Sequence, residues 1–297
     1  MRIPFAVMVL CVSSLGWGLT WLPIKTLTDM GLHSLHLVLI AFVSGSLVLL
    51  PALIRQYRHW KSFVGILLLV ALAGGIANAS FQTAMSHGHV VRVMILFYLL
   101  PVWSVIGGYL LLGEKLDRIR LLAVVLCLAG AFLILDVWHN AWHGVTWIDL
   151  LGVLSGMGLA ATNNVLRYSQ QEPVTSKVTA LFIGCSGIIG LSLLIFPPQA
   201  SIPEGGAVGY AILYGAVWLT LITFGTQWGV TQMEAGRSAV IIVMELLAAV
   251  ISVALLTHSQ LQPHELFGGL MVFSAALLEG MRSEPTARPA LAQGQAD

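Results

Sequence analysis

The sequence predicts an all-α, polytopic membrane protein of ten transmembrane helices, arranged as two inverted five-helix repeats with both termini inside. Three observations predict it. Hydrophobic residues make up 58% of the 297-residue chain and charged residues only 9%. A soluble domain carries about 25% charged residues, so these ionisable groups could not cover a globule of this size. Apolar runs of about 20 residues recur along the chain, each long enough to cross the hydrocarbon core of a bilayer. Lysine and arginine, finally, fall almost entirely on alternate connections between those runs.

The runs place helices at 5–25, 34–54, 62–83, 89–112, 119–136, 149–168, 177–197, 207–230, 235–257 and 264–281. Turn-forming residues separate them: Gly31, His59–Lys61, Ser86–Gly88, Asp117, Trp138–Gly144, Gln170–Pro173, Pro197–Gly206 and Gln260–Pro263. Only Arg2 precedes the first run, which continues to Lys25 without an Ala-x-Ala-like site. This predicts a retained span and not a cleaved signal peptide. The tail 282–297, with Pro285 and Pro289, is expected to be disordered. Cys11, Cys127 and Cys185 all lie in apolar spans and are expected to be reduced packing residues.

Cytoplasmic loops retain lysine and arginine. With the N-terminus inside, the inner face receives Arg2, Arg55, Arg58, Lys61, Lys115, Arg118, Arg120, Arg167, Lys177, Arg237, Arg282 and Arg288. That is 12 of the 14 basic residues, leaving Lys25 and Arg92 outside. The opposite orientation would reverse the count. N-in, C-in topology follows, and it requires an even number of spans.

Arg92 and Arg237 lie 145 positions apart, as do Leu116 and Leu261, and Leu121 and Leu266. The stretch His89–Ile134 therefore aligns with Glu234–Glu279 as helix, break, helix. Five spans per half make the second half enter the membrane with opposite polarity, as secondary transporters built on inverted repeats do. The expected organisation is a first repeat over 1–136, an external linker at 137–148, a second repeat over 149–281 and a cytoplasmic tail.

Several residues then resemble the drug/metabolite transporter superfamily in its EamA-type branch. They are Trp17-Gly18-Leu19-Thr20-Trp21-Leu22-Pro23-Ile24-Lys25, then Leu100-Pro101 with Leu111-Leu112-Gly113-Glu114-Lys115-Leu116, then Gly130-Ala131. The resemblance covers 5–136 well and 149–281 more loosely. It implies a ten-helix carrier with a cavity between its halves, frequently an exporter of amino acids or other small metabolites. The second half departs from the pattern. Glu245 is present, but Leu246 replaces the family's proline, and His258-Ser259 stands where Gly-Glu would be. A kink in the ninth span is left open on this reading.

Polar groups inside a membrane are costly, so each needs a reason. Glu245 lies about midway along the ninth span; it could bind the cationic end of a substrate, take up a coupling proton, or merely pack the bundle. Gly74, Asn78 and Gln82 share one helical face, as do Gly152, Gly156, Ala160 and Asn164, with Asn163 beside them. Such amides either hold a ligand or tie helices together. Thr220, Thr223 and Gln227 form a third polar stripe, with Trp228 adjacent; threonines commonly bond back to their own helix. Arg92 could attract an anionic substrate group or snorkel to the interface. Pro101 removes a backbone hydrogen bond within the fourth span and is the expected hinge. Phe97, Tyr98 and Trp103 flank it, and Trp17 is a candidate cavity wall. Glu114, beside Lys115 and Arg118, reads as a residue that pins a loop.

No Walker sequence, HExxH pair or catalytic cluster is present, and no cofactor or metal site is expected. His139 with His143, and His87 with His89, lack further ligands. A net charge of +1 gives no basic surface for nucleic acid. The expectation is a secondary transporter of the bacterial inner membrane, moving a small amphipathic metabolite by alternating access, with an amino acid as the leading substrate and export as the direction. A passive, channel-like facilitator is the alternative, and a membrane-embedded enzyme or lipid-handling protein a more distant one. The partners implied are the substrate, membrane lipids and, at Glu245, protons; the oligomeric state is left open.

Overall fold

A computed structural model describes residues 2–87, 90–136, 145–195, 206–257 and 261–281. The tail 282–297, most of the 137–148 linker, and His89, His139 and His143 lie outside the described residues. Within them every regular element is helical. The chain runs α1 (Arg2–Gly18), α2 (Trp21–Asp29), α3 (Ser34–Arg55), the short α4 (Tyr57–Trp60), α5 (Val64–His87), α6 (Val90–Phe97), α7 (Leu100–Leu112) and α8 (Arg118–Ile134). It continues through α9 (Trp147–Tyr168), α10 (Val174–Ile195), α11 (Gly206–Leu213), a π-helical stretch (Tyr214–Leu219), α12 (Thr220–Gln232), α13 (Ala235–Ile242), α14 (Met244–Thr257) and α15 (Pro263–Met281).

Seven stretches are long and apolar enough to cross a membrane: Pro4–Asp29, Ser34–Arg55, Lys61–Met85, Arg92–Leu112, Val174–Ile195, Gly206–Gln232 and Ala235–Leu256. Helices α8, α9 and α15 pack among them. The surface is apolar where a soluble protein would be charged. Leu110 and Leu111 are each 70% exposed, and Leu47, Leu221, Leu255 and Phe267 are similarly bare. Polar side chains such as Ser155, Asn163, Thr223 and Gln227 are buried instead. Contact with lipid explains this inversion, because hydrocarbon solvates the leucines and not the amides.

Local sequence accounts for the helix ends. Gly113 closes α7 at φ +65°, a left-handed conformation that glycine adopts without a Cβ penalty. Asp117 caps α8 by accepting from Arg120 N at 2.8 Å. Thr146 and Asp149 form a capping box at α9, the Asp149 Oδ2 accepting from Thr146 N at 2.6 Å and from its hydroxyl at 2.9 Å.

Three of the long apolar stretches are interrupted, not straight. The first breaks between Gly18 and Trp21, where the Thr20 hydroxyl donates to Trp17 O at 2.6 Å. Another breaks between Phe97 and Leu100. Pro101 therefore stands in the first turn of a new helix, where its missing N–H leaves nothing unsatisfied. The stretch containing Glu245 breaks at Val243, between α13 and α14, although no proline is present. There Leu246 N donates to Val243 O at 3.0 Å. Tyr98 and Val243 are themselves 145 positions apart.

The packing pairs come in matched sets. Helix α5 lies on α9, and α1 on α12; α6 and α7 lie on α9, and α1 on α13 and α14. Helix α5 lies on α10, and α3 on α11 and the π-helical stretch. Helix α8 lies on α15, and α7 on α13. Moving each partner five expected spans along the chain turns one contact of each of the first three sets into the other, while the α8–α15 and α7–α13 contacts each map onto themselves. The α8–α15 contact is backbone-close: a Cβ on Gly130 would stand 2.6 Å from Gly268 O, and one on Gly268 would stand 2.5 Å from Gly130 O. Only glycines permit that approach.

Candidate substrate cavity

A cavity of about 670 Å³ runs into the bundle between α1, α2, α3, α5, α9, α12 and α14. Lys25, Asp29 and Ser34 line its mouth. Lys25 and Asp29 pair at 3.4 Å with both side chains 65% exposed. Deeper in, the walls are mainly aromatic and aliphatic, as in most small-molecule sites. Phe81 and Phe97 stack with centroids 4.9 Å apart, and Phe97 meets Tyr98 edge-on at 5.2 Å.

Nine of the polar and aromatic residues singled out in the sequence converge here: Trp17, Asn78, Gln82, Phe97, Tyr98, Asn163, Thr223, Gln227 and Glu245 all line the cavity. The Tyr98 hydroxyl donates to Glu245 Oε1 at 3.2 Å. Gly18 makes the adjoining contact: a Cβ there would sit 2.2 Å from Glu245 O and 2.6 Å from Ala248 Cβ. Helix α1 thus touches the backbone of α14 beside the carboxylate.

The polar lining divides into tied and untied groups. Trp17 Nε1 donates to Thr226 Oγ1 at 3.2 Å, and Trp21 Nε1 to Ser252 Oγ at 2.8 Å. Asn78 Nδ2 bonds back to Gly74 O at 2.9 Å within its own helix. By contrast, Asn163 Nδ2, the Thr223 hydroxyl and both polar atoms of the Gln227 amide have no hydrogen-bond partner among the described residues. All three side chains are at most 3% exposed. Buried polar atoms left in that condition cost free energy unless a ligand or water satisfies them.

Arg92, Trp103, Trp228 and Thr220, also singled out in the sequence, lie elsewhere. Arg92 Nε pairs with Asp149 Oδ1 at 2.7 Å, so the α9 capping carboxylate takes its charge. Trp103 packs against the main core cluster, and Trp228 packs there too, meeting Phe5 edge-on at 5.7 Å. Thr220 bonds back to Gly215 O at 2.8 Å, as a helical threonine commonly does. Sequence reasoning passed over Trp21, Phe81, Thr162 and Thr226, which line the cavity as well. Ordinary apolar or hydroxyl residues carry no local signal of the wall they will form.

A second polar assembly lies beyond the C-terminal end of α7. Arg120, only 1% exposed, faces three carboxylates. Its Nη1 lies 3.2 Å from Glu114 Oε2, its Nη2 bonds Glu234 Oε2, and its Nε lies 3.9 Å from Glu279 Oε1. Glu114 Oε1 accepts from Ala235 N at 2.8 Å. Burial raises the Glu114 carboxyl above the ordinary carboxylate range, and the Ala235 N–H and Arg120 only partly offset it. Glu114 therefore does more than hold its loop: it joins the α7–α8 connection to the start of α13. Neighbouring cations cap helix C-termini, where carbonyls carry partial negative charge. Arg167 donates to Thr231 O at 3.3 Å, Lys177 to Ser169 O at 2.7 Å and Arg237 to Gly280 O at 2.5 Å. Helix α7, 13 residues or about 20 Å long, separates this assembly from Tyr98.

Residues 4–136 match the model of the EamA-like transporter family. That stretch is similar to an EamA-like transporter domain. It supplies Trp17, Asn78, Gln82 and Tyr98, whereas Asn163, Gln227 and Glu245 lie beyond the matched residues. An uncharacterized transporter of Archaeoglobus fulgidus is 23% identical over 255 residues, covering 84% of this chain and 88% of that protein. The pseudopaline exporter CntI of Pseudomonas aeruginosa is 23% identical over 180 residues, 58% of this chain and 63% of that one. One crystal structure superposes with a TM-score of 0.71 at 15% identity, covering 93% of this chain and 98% of that chain, a likeness of fold. The first half of the chain is thus similar to transporters, and its long apolar helices are those of a multi-pass membrane protein.

Proposed function

We propose that this chain is a secondary transporter that moves a small amphipathic metabolite, an amino acid or similar compound, across the membrane by alternating access, in the export direction. One observation carries the reading. A cavity lined by aromatic side chains and unpartnered amides reaches Glu245, where two interrupted helices meet, and a buried ionic cluster around Arg120 lies beyond the other end of α7. An alternating-access carrier needs such a ligand-sized space at a central site.

Ten spans in two inverted repeats, the expected organisation, would fit the same reading. The matched packing pairs and the breaks at Tyr98 and Val243 are what a pseudo-two-fold axis through the middle of the membrane would produce. With the N-terminus inside, the cavity mouth at Lys25 and Asp29 faces out and the Arg120 assembly faces the cytoplasm. The conformation is then outward-facing. Release of Arg120 from Glu234 and Glu279 would be required before the inner face opens. Export is supported by the exporter among its relatives. Glu245 is the candidate proton-coupling group, and the interruption before Pro101 the candidate hinge.

Purified protein in liposomes tests the proposal. Saturable uptake, accelerated by unlabelled substrate on the trans side, is the expected result; flux that neither saturates nor trans-stimulates would identify a channel-like facilitator instead. A pH gradient applied to wild type and to Glu245→Gln tests the coupling assignment. Unchanged, still pH-dependent flux in the variant would remove Glu245 from it.

A further inference from the structure

The charges of the cavity are lopsided. Among the described residues, its ionisable lining consists of Lys25 and Asp29 at the mouth, which neutralise each other, Tyr98, Tyr214, and Glu245 at depth. No basic side chain faces the interior with Glu245. The arginine that could have received a substrate carboxylate, Arg92, is committed to Asp149 at 2.7 Å and does not line the cavity. The remaining polar lining is neutral, and within it the amides of Asn163 and Gln227 and the hydroxyl of Thr223 are each buried with an unpartnered atom. Around them stand Trp17, Phe42, Phe81 and Phe97. Their ring faces are negative and attract cations as well as planar apolar bodies.

We propose that the cavity selects aromatic monoamines, with the ligand ammonium held by Glu245, the planar body among Trp17, Phe81 and Phe97, and the neutral amides serving its polar substituents. The inference rests on the transport reading and narrows its substrate class. An ammonium group is the one partner that compensates the carboxylate without adding a second charge. A free amino acid brings a carboxylate as well, which only amide dipoles can receive, and that carboxylate stands near Glu245 with like charge. A simple arylalkanoic acid brings the wrong charge alone.

Three probes that share one ring separate these cases: phenylethylamine, phenylalanine and phenylpropionate, titrated by calorimetry against the full-length protein in nanodiscs. The expected order is phenylethylamine tightest, phenylalanine weaker by about tenfold or more because its carboxylate is buried near a like charge without a cation to pair it, and phenylpropionate without binding. Glu245→Gln should abolish the preference for the amine over phenylalanine, and Glu245→Asp should keep it. A melting curve on each variant separates loss of binding from loss of fold, and the wild-type order decides the matter even if the Gln variant does not fold. Equal binding of amine and amino acid, tighter binding of the acid, or no binding of any probe would overturn the proposal. Counterflow of the same preparation with a broad solute panel keeps the two readings apart. Saturable flux of another solute would sink the amine assignment and leave the carrier standing; absence of any saturable flux would sink the carrier.

Discussion

The Tyr98 hydroxyl donates to Glu245 Oε1 at 3.2 Å, across 147 residues of sequence. Tyr98 occupies the interruption between α6 and α7, and Glu245 begins the helix that follows the interruption at Val243. One hydrogen bond thus links the two points at which the bundle departs from straight helices. Interrupted helices free backbone groups and let neighbouring segments reorient, which is why transporters place them around a central site.

Tyr98→Phe removes that bond while keeping the ring against Phe97. A neutral hydrogen bond contributes about 1 kcal/mol, roughly a fivefold change in affinity. KM in counterflow is expected to change by about that factor with little change in melting temperature. A KM within experimental error of wild type would show that the bond does not position Glu245.

Gly18→Ala forces a methyl to within 2.2 Å of Glu245 O. Backbone cannot yield as a flexible side chain can, so overpacking of about 1–3 kcal/mol is expected. Both melting temperature and transport should fall. Gly209→Ala is the matched control, since a Cβ there meets nothing within 4 Å. Equal behaviour of the two variants would remove the significance of the α1–α14 contact.

Arg120→Ala leaves the carboxylates of Glu234 and Glu279 buried without the guanidinium between them. Breaking a buried ionic group by removing one partner costs about 3–5 kcal/mol. Arg120→Lys should recover only part of this, because one ammonium cannot reach three carboxylates at once. Thermal denaturation of the solubilised protein reads both effects, and an unshifted transition in the alanine variant would contradict the assignment.

Glu114 supplies a pH test. Burial raises its folded-state value above that of the unfolded chain, so the folded form favours the neutral acid. Its contribution to stability is therefore full below the ordinary glutamate value and is lost as pH rises through the folded-state one. Glu114→Gln, neutral throughout and still able to accept from Ala235 N, should gain in stability relative to wild type over that rise. Glu114→Ala should lose about 1–3 kcal/mol by orphaning the Ala235 N–H. A difference between Gln variant and wild type that does not vary with pH would argue against burial as the dominant influence.

Topology is checked by labelling. Cysteine introduced at Lys25 should react with an impermeant maleimide in intact cells, and cysteine introduced at Lys115 only after permeabilisation. Both side chains are exposed, so access to solvent is not the limiting factor. The reverse pattern would invert the assignment of the cavity mouth.

Helix positions were legible because lipid imposes a simple rule: about 20 apolar residues in a row, with punctuation between. The expected span 119–136 and the observed Arg118–Ile134 differ by only a residue or two at each end. Convergence of Asn78, Asn163, Gln227 and Glu245 was partly legible, since each is a polar residue placed where polarity is costly. Arg92 shows the limit. Its partner Asp149 sits 57 positions away behind an intervening helix and linker, and no local pattern announces that pairing. Val243 shows another: an interruption without proline or glycine has no chemical marker in the chain.

By itself the sequence determined that the chain lives in a membrane, where its helices lie, and which few polar residues must be sheltered from lipid. Composition and periodicity suffice for that, because solvent is the same for every residue of a span. Which of those polar residues face one another was decided only by tertiary structure. Arg120 gathers Glu114, Glu234 and Glu279, and Glu245 is left with a tyrosine and a cavity, because packing of helices far apart in sequence sets those distances.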